Sequence, residues 1–188
     1  DFDTAGFVEV AKRNFVTLQD AWDRSDVPSL RAMMTDGMLT EIQALVAPSN
    51  LGTPRRTVVG LDSGRLSTIL AVLEARCGIP FTGLDVFLNV AGGMRVNEPA
   101  ADLAVAAALL SAREDVAIPP DMVLFGEISL SGALRPVGQT ENRLKEAAKL
   151  GFSQATLPAR SKSGQADGMR LRETADLTAF VGEMFGAG

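Results

Sequence analysis

The chain has 188 residues, with 18 Lys and Arg against 23 Asp and Glu, no His, no Tyr, one Cys and one Trp. Its length suits one full domain, or one domain with a short appendage, and 46% apolar with 22% charged residues describes a globular rather than a disordered protein. Without an imidazole there is no Ser-His-Asp triad, Cys-His dyad or His-containing zinc site, and the lone Cys77 closes no internal disulfide and supplies no Cys-x-x-Cys clip.

Residues 1 to 36 carry 4 basic and 7 acidic side chains, net −3, which leaves −2 of the total −5 for residues 37 to 188. A charge this close to balance gives no broad attraction to polyanions, so any nucleic-acid site has to be a local patch. The longest apolar run, Leu103 to Leu110, falls far short of the roughly 20 residues of a membrane span. The acidic start Asp1-Phe2-Asp3 leads into no signal-type hydrophobic run, so the expectation is a cytoplasmic location or a targeting segment already cut away.

From Thr4 to Met34, the residues Phe7, Val10, Ala11, Phe15, Leu18, Ala21 and Trp22 recur at helical spacing, and Leu30, Met33 and Met34 follow the break at Ser25-Asp26-Val27-Pro28. This predicts a helical hairpin over residues 1–36. The character changes near Gly37, and residues 37–188 read as a separate domain. Met38 to Ala47 and Thr57 to Gly60 read as strands. Asp62 or Ser63 then caps a helix whose Leu66, Ile69, Leu70 and Leu73 share a face and which stops at Gly78.

Asp85 to Ala91 is a further expected strand, and Pro99 suits the first turn of a helix running through Ala100 to about Arg113. Met122 to Phe125 reads as a strand, and residues 126–137 alternate around Gly132 as a tight hairpin. A helix from about Gln139 to Leu150, a short strand Ala155 to Leu157 and a polar loop Ser161 to Gly168 follow. A final amphipathic helix, capped by Thr174, ends near Phe185. The mixed order predicts an α+β domain, a mixed sheet with packed helices.

The Walker pattern Gly-x-x-x-x-Gly-Lys-[Ser/Thr] is absent, and Gly92-Gly93 has neither the following Lys nor dinucleotide-binding spacing, so it reads as a tight turn. Longer phrases carry a resemblance. They are Glu41-Ile-Gln-Ala-Leu-Val46, Gly60-Leu-Asp-x-x-Arg65-Leu66, Asp85-Val-Phe-Leu-Asn-Val, Arg95-Val-x-Glu-Pro-Ala-Ala-Asp-Leu-Ala-Val105, Phe125-Gly-Glu-Ile-Ser-Leu-Ser-Gly132 with Leu134-Arg-Pro136, and Arg143-Leu-Lys-Glu-Ala-Ala-Lys-Leu-Gly-Phe152. In this order they resemble the carboxy-terminal Lon-protease-like domain of the bacterial DNA repair family RadA, also called Sms, from about Met38 to Pro158 and on towards the C terminus.

That resemblance implies a Lon-like fold and a place to look for a Ser-Lys dyad. Lon proteases carry the Ser in Gly-Pro-Ser-Ala-Gly, where this chain has Glu98-Pro99-Ala100-Ala101-Asp102, and the Lys position falls on Glu141. Ala cannot attack a carbonyl and a carboxylate cannot serve as the ammonium partner, so the chain is expected to be no enzyme. A rival reading is a peptidase with a relocated dyad drawn from Ser111, Ser129 and Ser131 with Lys145 and Lys149.

The RadA family is a DNA-dependent ATPase with a zinc finger, an ATPase core using ATP and Mg, and this Lon-like tail. No cofactor is expected in the present chain. The resemblance implies self-association, up to a hexameric ring, and contact with DNA, with no membrane. The candidates for DNA contact are Arg143, Lys145 and Lys149, together with Arg55 and Arg56. The alternative for the Lys face is a solvated, self-paired helix surface, with Glu141 four residues before Lys145 and able to neutralise it.

Residues 1 to about 43, through Asp3-x-x-x-Phe7, Ala11-Lys12, Phe15-x-x-Leu18-Gln19-x-Ala21-Trp22-Asp23 and Leu30-Arg31, resemble the opening helices of the Tim forty-four-like domain. Thr35 to Gln43 suits either family, which leaves open a chimera joined there, natural or engineered.

Overall fold

Apolar and polar side chains alternate along the first strand, β1 (Ile42–Pro48), so that Ile42, Ala44 and Val46 turn towards the core while Gln43 and Leu45 face solvent. The computed structural model describes residues 41–50, 52–161 and 168–186, all within one compact unit, Leu39–Gly188. The expected hairpin of residues 1–36 and its boundary near Gly37 lie outside the described residues.

β2 (Arg56–Val59) is followed by helix α1 (Ser63–Cys77) and then β3 (Leu84–Val90). β1 pairs antiparallel with β3 and β2 pairs parallel with it, in the order β1-β3-β2. Parallel neighbours need a crossover, and α1 supplies it. Of the two caps expected for α1, Asp62 is the one used: its Oδ1 accepts from the Arg65 N–H at 2.8 Å. Gly78 ends the helix in the left-handed region, as its position in the sequence predicts. At Gly60, φ is +80° and an added Cβ would lie 2.5 Å from the Met94 carbonyl oxygen. Only glycine fits that turn.

Pro99–Ala101 form a 3-10 turn that leads into α2 (Asp102–Glu114), so the regular helix starts later than expected. The reason is that the Ala100 carbonyl accepts from Gly126 N–H, across the chain, instead of from the next helical turn. α2 is Ala- and Leu-rich and buries Leu103, Val105, Ala106, Ala107, Leu109 and Leu110, as expected of a helix enclosed on most sides.

β4 (Met122–Leu124) is followed by the hairpin β5 (Glu127–Ile128) and β6 (Leu134–Arg135), which turns at Gly132 with φ +86° as the alternation predicts. Then come α3 (Thr140–Lys149), β7 (Gln154–Pro158), β8 (Arg170–Thr174) and α4 (Leu177–Phe185). β4, β7 and β8 form a second, all-parallel sheet in the order β4-β7-β8.

β8 is absent from the sequence reading because Arg170-Leu-Arg-Glu-Thr is an edge strand whose charges mask its alternation. The expected cap Thr174 closes that strand instead, with its Oγ1 donating to the Asp176 carbonyl, and Asp176 caps α4 by accepting from Ala179 N–H at 2.8 Å. Of the polar loop expected at Ser161 to Gly168, residues 162–167 lie outside the described residues.

Two apolar clusters result among the described residues. The larger joins the first sheet to α1, α2 and α4, and the smaller gathers Ala100, Val123, Phe125, Leu144, Ala147, Ala155, Leu157 and Met169 around the second sheet and α3. The fold is α+β, as the order of elements predicts.

Candidate functional site

The turn from Glu98 to Asp102 joins the two clusters, and each of its polar ends is tied to a different helix. Ala100 is buried in the smaller cluster. Glu141 is exposed in the first turn of α3, where the helix dipole favours a carboxylate. Arg143, on the next turn, points inwards and is only 5% exposed. Its Nε donates to the Gly138 carbonyl at 3.0 Å, its Nη2 pairs with Glu98, and its guanidinium lies 5.9 Å from the centre of the Phe125 ring. Burial pulls the guanidinium below its ordinary pKa, yet arginine stays charged. Arg143 therefore clamps the Glu98 turn to the start of α3.

The other end of the turn is the junction of three elements. Asp102, 2% exposed, accepts from Arg65 Nε and from Arg65 Nη2 at 2.6 Å, and also from Ile128 N–H at 3.0 Å. The hydrogen bond from Arg65 to Asp102 holds the Arg65 guanidinium above its ordinary pKa. α1, α2 and β5 are fixed together by one carboxylate. Beside it opens a cleft of about 630 Å³ lined by Asp62, Arg65, Glu127, Ser129, Ser131 and Arg135 among others. Arg135 and Glu127 face each other at 3.5 Å, and the Ser129 and Ser131 hydroxyls bond each other at 2.8 Å. Sequence reading passed over Arg65 and Asp102 as parts of matching phrases. A lone carboxylate opening an Ala- and Leu-rich helix was the available signal, because such a group must cap or pair.

No relocated Ser-Lys pair is assembled among the described residues. Ser111 Oγ donates to the Val116 carbonyl at 2.7 Å, Ser129 and Ser131 bond each other, and Lys149 donates to Glu146 at 2.7 Å. No cluster of acidic and Cys side chains able to hold a metal occurs among the described residues.

The remaining DNA-contact candidates fall in two places. Lys145 and Lys149 are exposed on one face of α3. The Glu141–Lys145 pair does not form; Glu146 takes Lys149 instead, at i,i+3. Arg56 opens β2 and Arg55 immediately precedes it, and among the described residues neither shares a hydrogen bond or ion pair with α3. Arg56 donates to the Phe81 carbonyl at 2.8 Å and to that of Leu84. Arg55, more than half exposed, pairs with buried Asp85 at 3.2 Å and lies over the Phe87 ring.

Asp85 also accepts from the Arg55 backbone N–H at 2.7 Å, and this bond, with further ones from Ser49 and the Arg55 guanidinium, holds its carboxyl below the ordinary value. A depressed folded-state pKa adds stability above the unfolded carboxylate value and loses it as pH falls through the folded one. Asp85→Asn is therefore expected to lower the melting temperature at neutral pH and to matter progressively less below about pH 4. Melting curves across that range check it; an effect equal at pH 3 and pH 7 would remove the ionised carboxylate from the account.

A family model described as subunit ChlI of Mg-chelatase matches residues 50–161, about three fifths of the chain. The chain belongs to this family. The stretch matched to ChlI runs from just before β2 to just past β7 and contains both the Arg65–Asp102 and the Glu98–Arg143 pairs. A Tim44-like domain model matches residues 1–70, in keeping with the weaker likeness seen at the N terminus.

Among curated relatives, the DNA repair protein RadA of Brucella abortus (strain 2308) is 53% identical over 186 residues, which cover 97% of this chain and 40% of the relative. That of Synechocystis sp. is 48% identical over 137 residues, covering 73% and 27%. That of Pseudomonas aeruginosa is 51% identical over 121 residues, covering 64% and 27%. The resemblance to RadA read from the phrases is borne out, and the chain spans between about a quarter and two fifths of these relatives.

One expectation is corrected by these matches. The chain was expected to be no enzyme, on Ala100, Glu141 and the missing Walker motif. Its relatives are named DNA repair protein RadA, and the ChlI model is named for a subunit of an enzyme. The missing motif speaks only for the share of those relatives that this chain spans, and Ala100 and Glu141 bear on one peptidase dyad alone.

Proposed function

We propose that this chain serves a RadA-type DNA repair protein, in the cytoplasm, as a scaffold on which copies assemble and as a surface that engages DNA. The observation that carries the reading is the 53% identity to a DNA repair protein RadA over 97% of the chain. ATP, Mg and the zinc finger of that family then belong to parts outside these residues.

Lys145 and Lys149 are the first candidates for phosphate contact, since both are exposed on one helix face. The surface pair of Lys149 with Glu146 is worth little and yields readily to a phosphate. Arg55 and Arg56 form a second, more constrained pair, because Arg55 is partly neutralised by Asp85 and Arg56 is tied to two carbonyls. Arg143 acts in this reading by positioning α3.

Binding of duplex DNA, followed by fluorescence anisotropy across a salt series, tests the proposal. Affinity is expected to be sequence-independent and to fall linearly on a log–log plot, with a slope of about −0.9 per phosphate neutralised. Lys145→Glu with Lys149→Glu is expected to flatten the slope by about 2. A slope unchanged by that double reversal would leave the α3 face as solvated surface and nothing more.

A further inference from the structure

The free sheet edges among the described residues differ in how they are protected. β8 carries Arg170, Arg172 and Glu173, β2 is four residues long and starts with Arg56, and β4 has only three residues. Short length and charge are the usual devices that keep an edge from pairing. β1 has neither. It is seven residues long, Ile-Gln-Ala-Leu-Val-Ala-Pro, with no charge, and its own Leu45 is 60% exposed.

The direction of its backbone groups is fixed by the flanking bonds. Ala91 N–H donates to the Glu41 carbonyl and Ser49 N–H to the Gly83 carbonyl, both at 2.9 Å, and the register pairs Gln43 with Asn89, Leu45 with Phe87 and Ala47 with Asp85. The odd-numbered residues therefore bond β3, and the N–H and C=O groups of Ile42, Ala44 and Val46 point away from it. The side chains of those same three residues reach the larger core yet remain only partly buried.

We infer that β1 pairs with the β1 of a second copy of this chain, antiparallel about a two-fold axis through Ala44. This rests on the self-association proposed above and names its surface. In that register Ile42 meets Val46 of the partner and Ala44 meets Ala44, so all outward groups of the three residues are used; Pro48, which has no N–H, lies beyond them. The strand is neutral, and the two-fold axis places the two Glu41 side chains at opposite ends, so no like charges meet. The three half-buried core side chains gain an identical apolar row as neighbour. A two-fold contact closes at two copies, so a ring would need another surface as well.

The test uses the 188-residue chain, its Ala44→Pro variant, and Ala44→Cys in a Cys77→Ser background. Ala44→Pro removes an N–H that no β3 carbonyl receives, which an edge strand tolerates. Light scattering is expected to show concentration-dependent dimers that weaken at least tenfold in Ala44→Pro. Ala44→Cys is expected to cross-link under mild oxidation much faster than Glu114→Cys in the same background, since facing Cα atoms of an antiparallel pair lie within disulfide reach. The cysteine pair decides the matter even if the proline variant fails to fold.

Association as tight in Ala44→Pro as in the parent, with no preference for cross-linking at 44, would overturn the surface while leaving self-association standing. A parent monomeric at every concentration would overturn both. Concentration-independent exchange protection of the Ile42, Ala44 and Val46 amides would show the edge covered by the chain's own residues, and would also overturn it.

Discussion

Arg65→Met is expected to destabilise the fold by about 3–5 kcal/mol, because it strands a buried carboxylate. Asp102 is 2% exposed and, among the described residues, would keep only the Ile128 N–H as partner, whereas Arg65 has a side chain 29% exposed. The asymmetry makes a second expectation. Asp102→Leu leaves a guanidinium that can turn to solvent, so it is expected to cost less than Arg65→Met. The double variant Arg65→Met with Asp102→Leu is expected to recover much of the loss, leaving mainly the unsatisfied Ile128 N–H at about 1–3 kcal/mol. Urea unfolding of the four proteins, read as a double-mutant cycle, measures the coupling directly. A cycle whose losses simply add would mean that Arg65 and Asp102 do not act as one unit, and the junction of α1, α2 and β5 would need another explanation.

That junction also marks where sequence reading stopped. Elements whose signal is local were legible: the Asp62 cap, the Gly78 stop and the Gly132 hairpin each depend on a residue and its immediate neighbours. The RadA likeness was legible too, through phrases such as Glu98 to Asp102. What those phrases hold in place was not. Asp102 finds Arg65 at 37 positions' separation and Glu98 finds Arg143 at 45, and no periodicity within a single element announces such pairings. Arg143 shows the consequence. As a basic residue on a helix beside two lysines it belonged with the DNA candidates, yet the helical phase that exposes Lys145 and Lys149 turns Arg143 inwards onto Phe125. The strand β8 was hidden for a related reason: a parallel edge strand depends on its distant neighbour β7, and its own sequence is dominated by charge.

The start of α4 was misplaced by two residues in the sequence, and the same helix sets the last expectation. Its Phe180 is fully buried in the larger cluster and meets Phe185 edge to face, with ring centres 6.0 Å apart. If α4 were an appended amphipathic helix, truncating one side chain would fray it and leave the rest intact. Instead Phe180 shares its cluster with the buried side chains of α1 and α2, so the void would open inside the main core. Phe180→Ala is therefore expected to cost about 3–5 kcal/mol, from lost burial together with the cavity left behind. Leu130, an equally apolar side chain that is 73% exposed at the hairpin tip, supplies the comparison. Leu130→Ala is expected to change stability by no more than about 0.5 kcal/mol. The loss in Phe180→Ala should appear as a shift of one cooperative transition, with circular dichroism and hydrogen exchange in α2 moving together. Exchange that rises only within α4, with α2 still protected, would show that the helix is peripheral and that the first core closes without it.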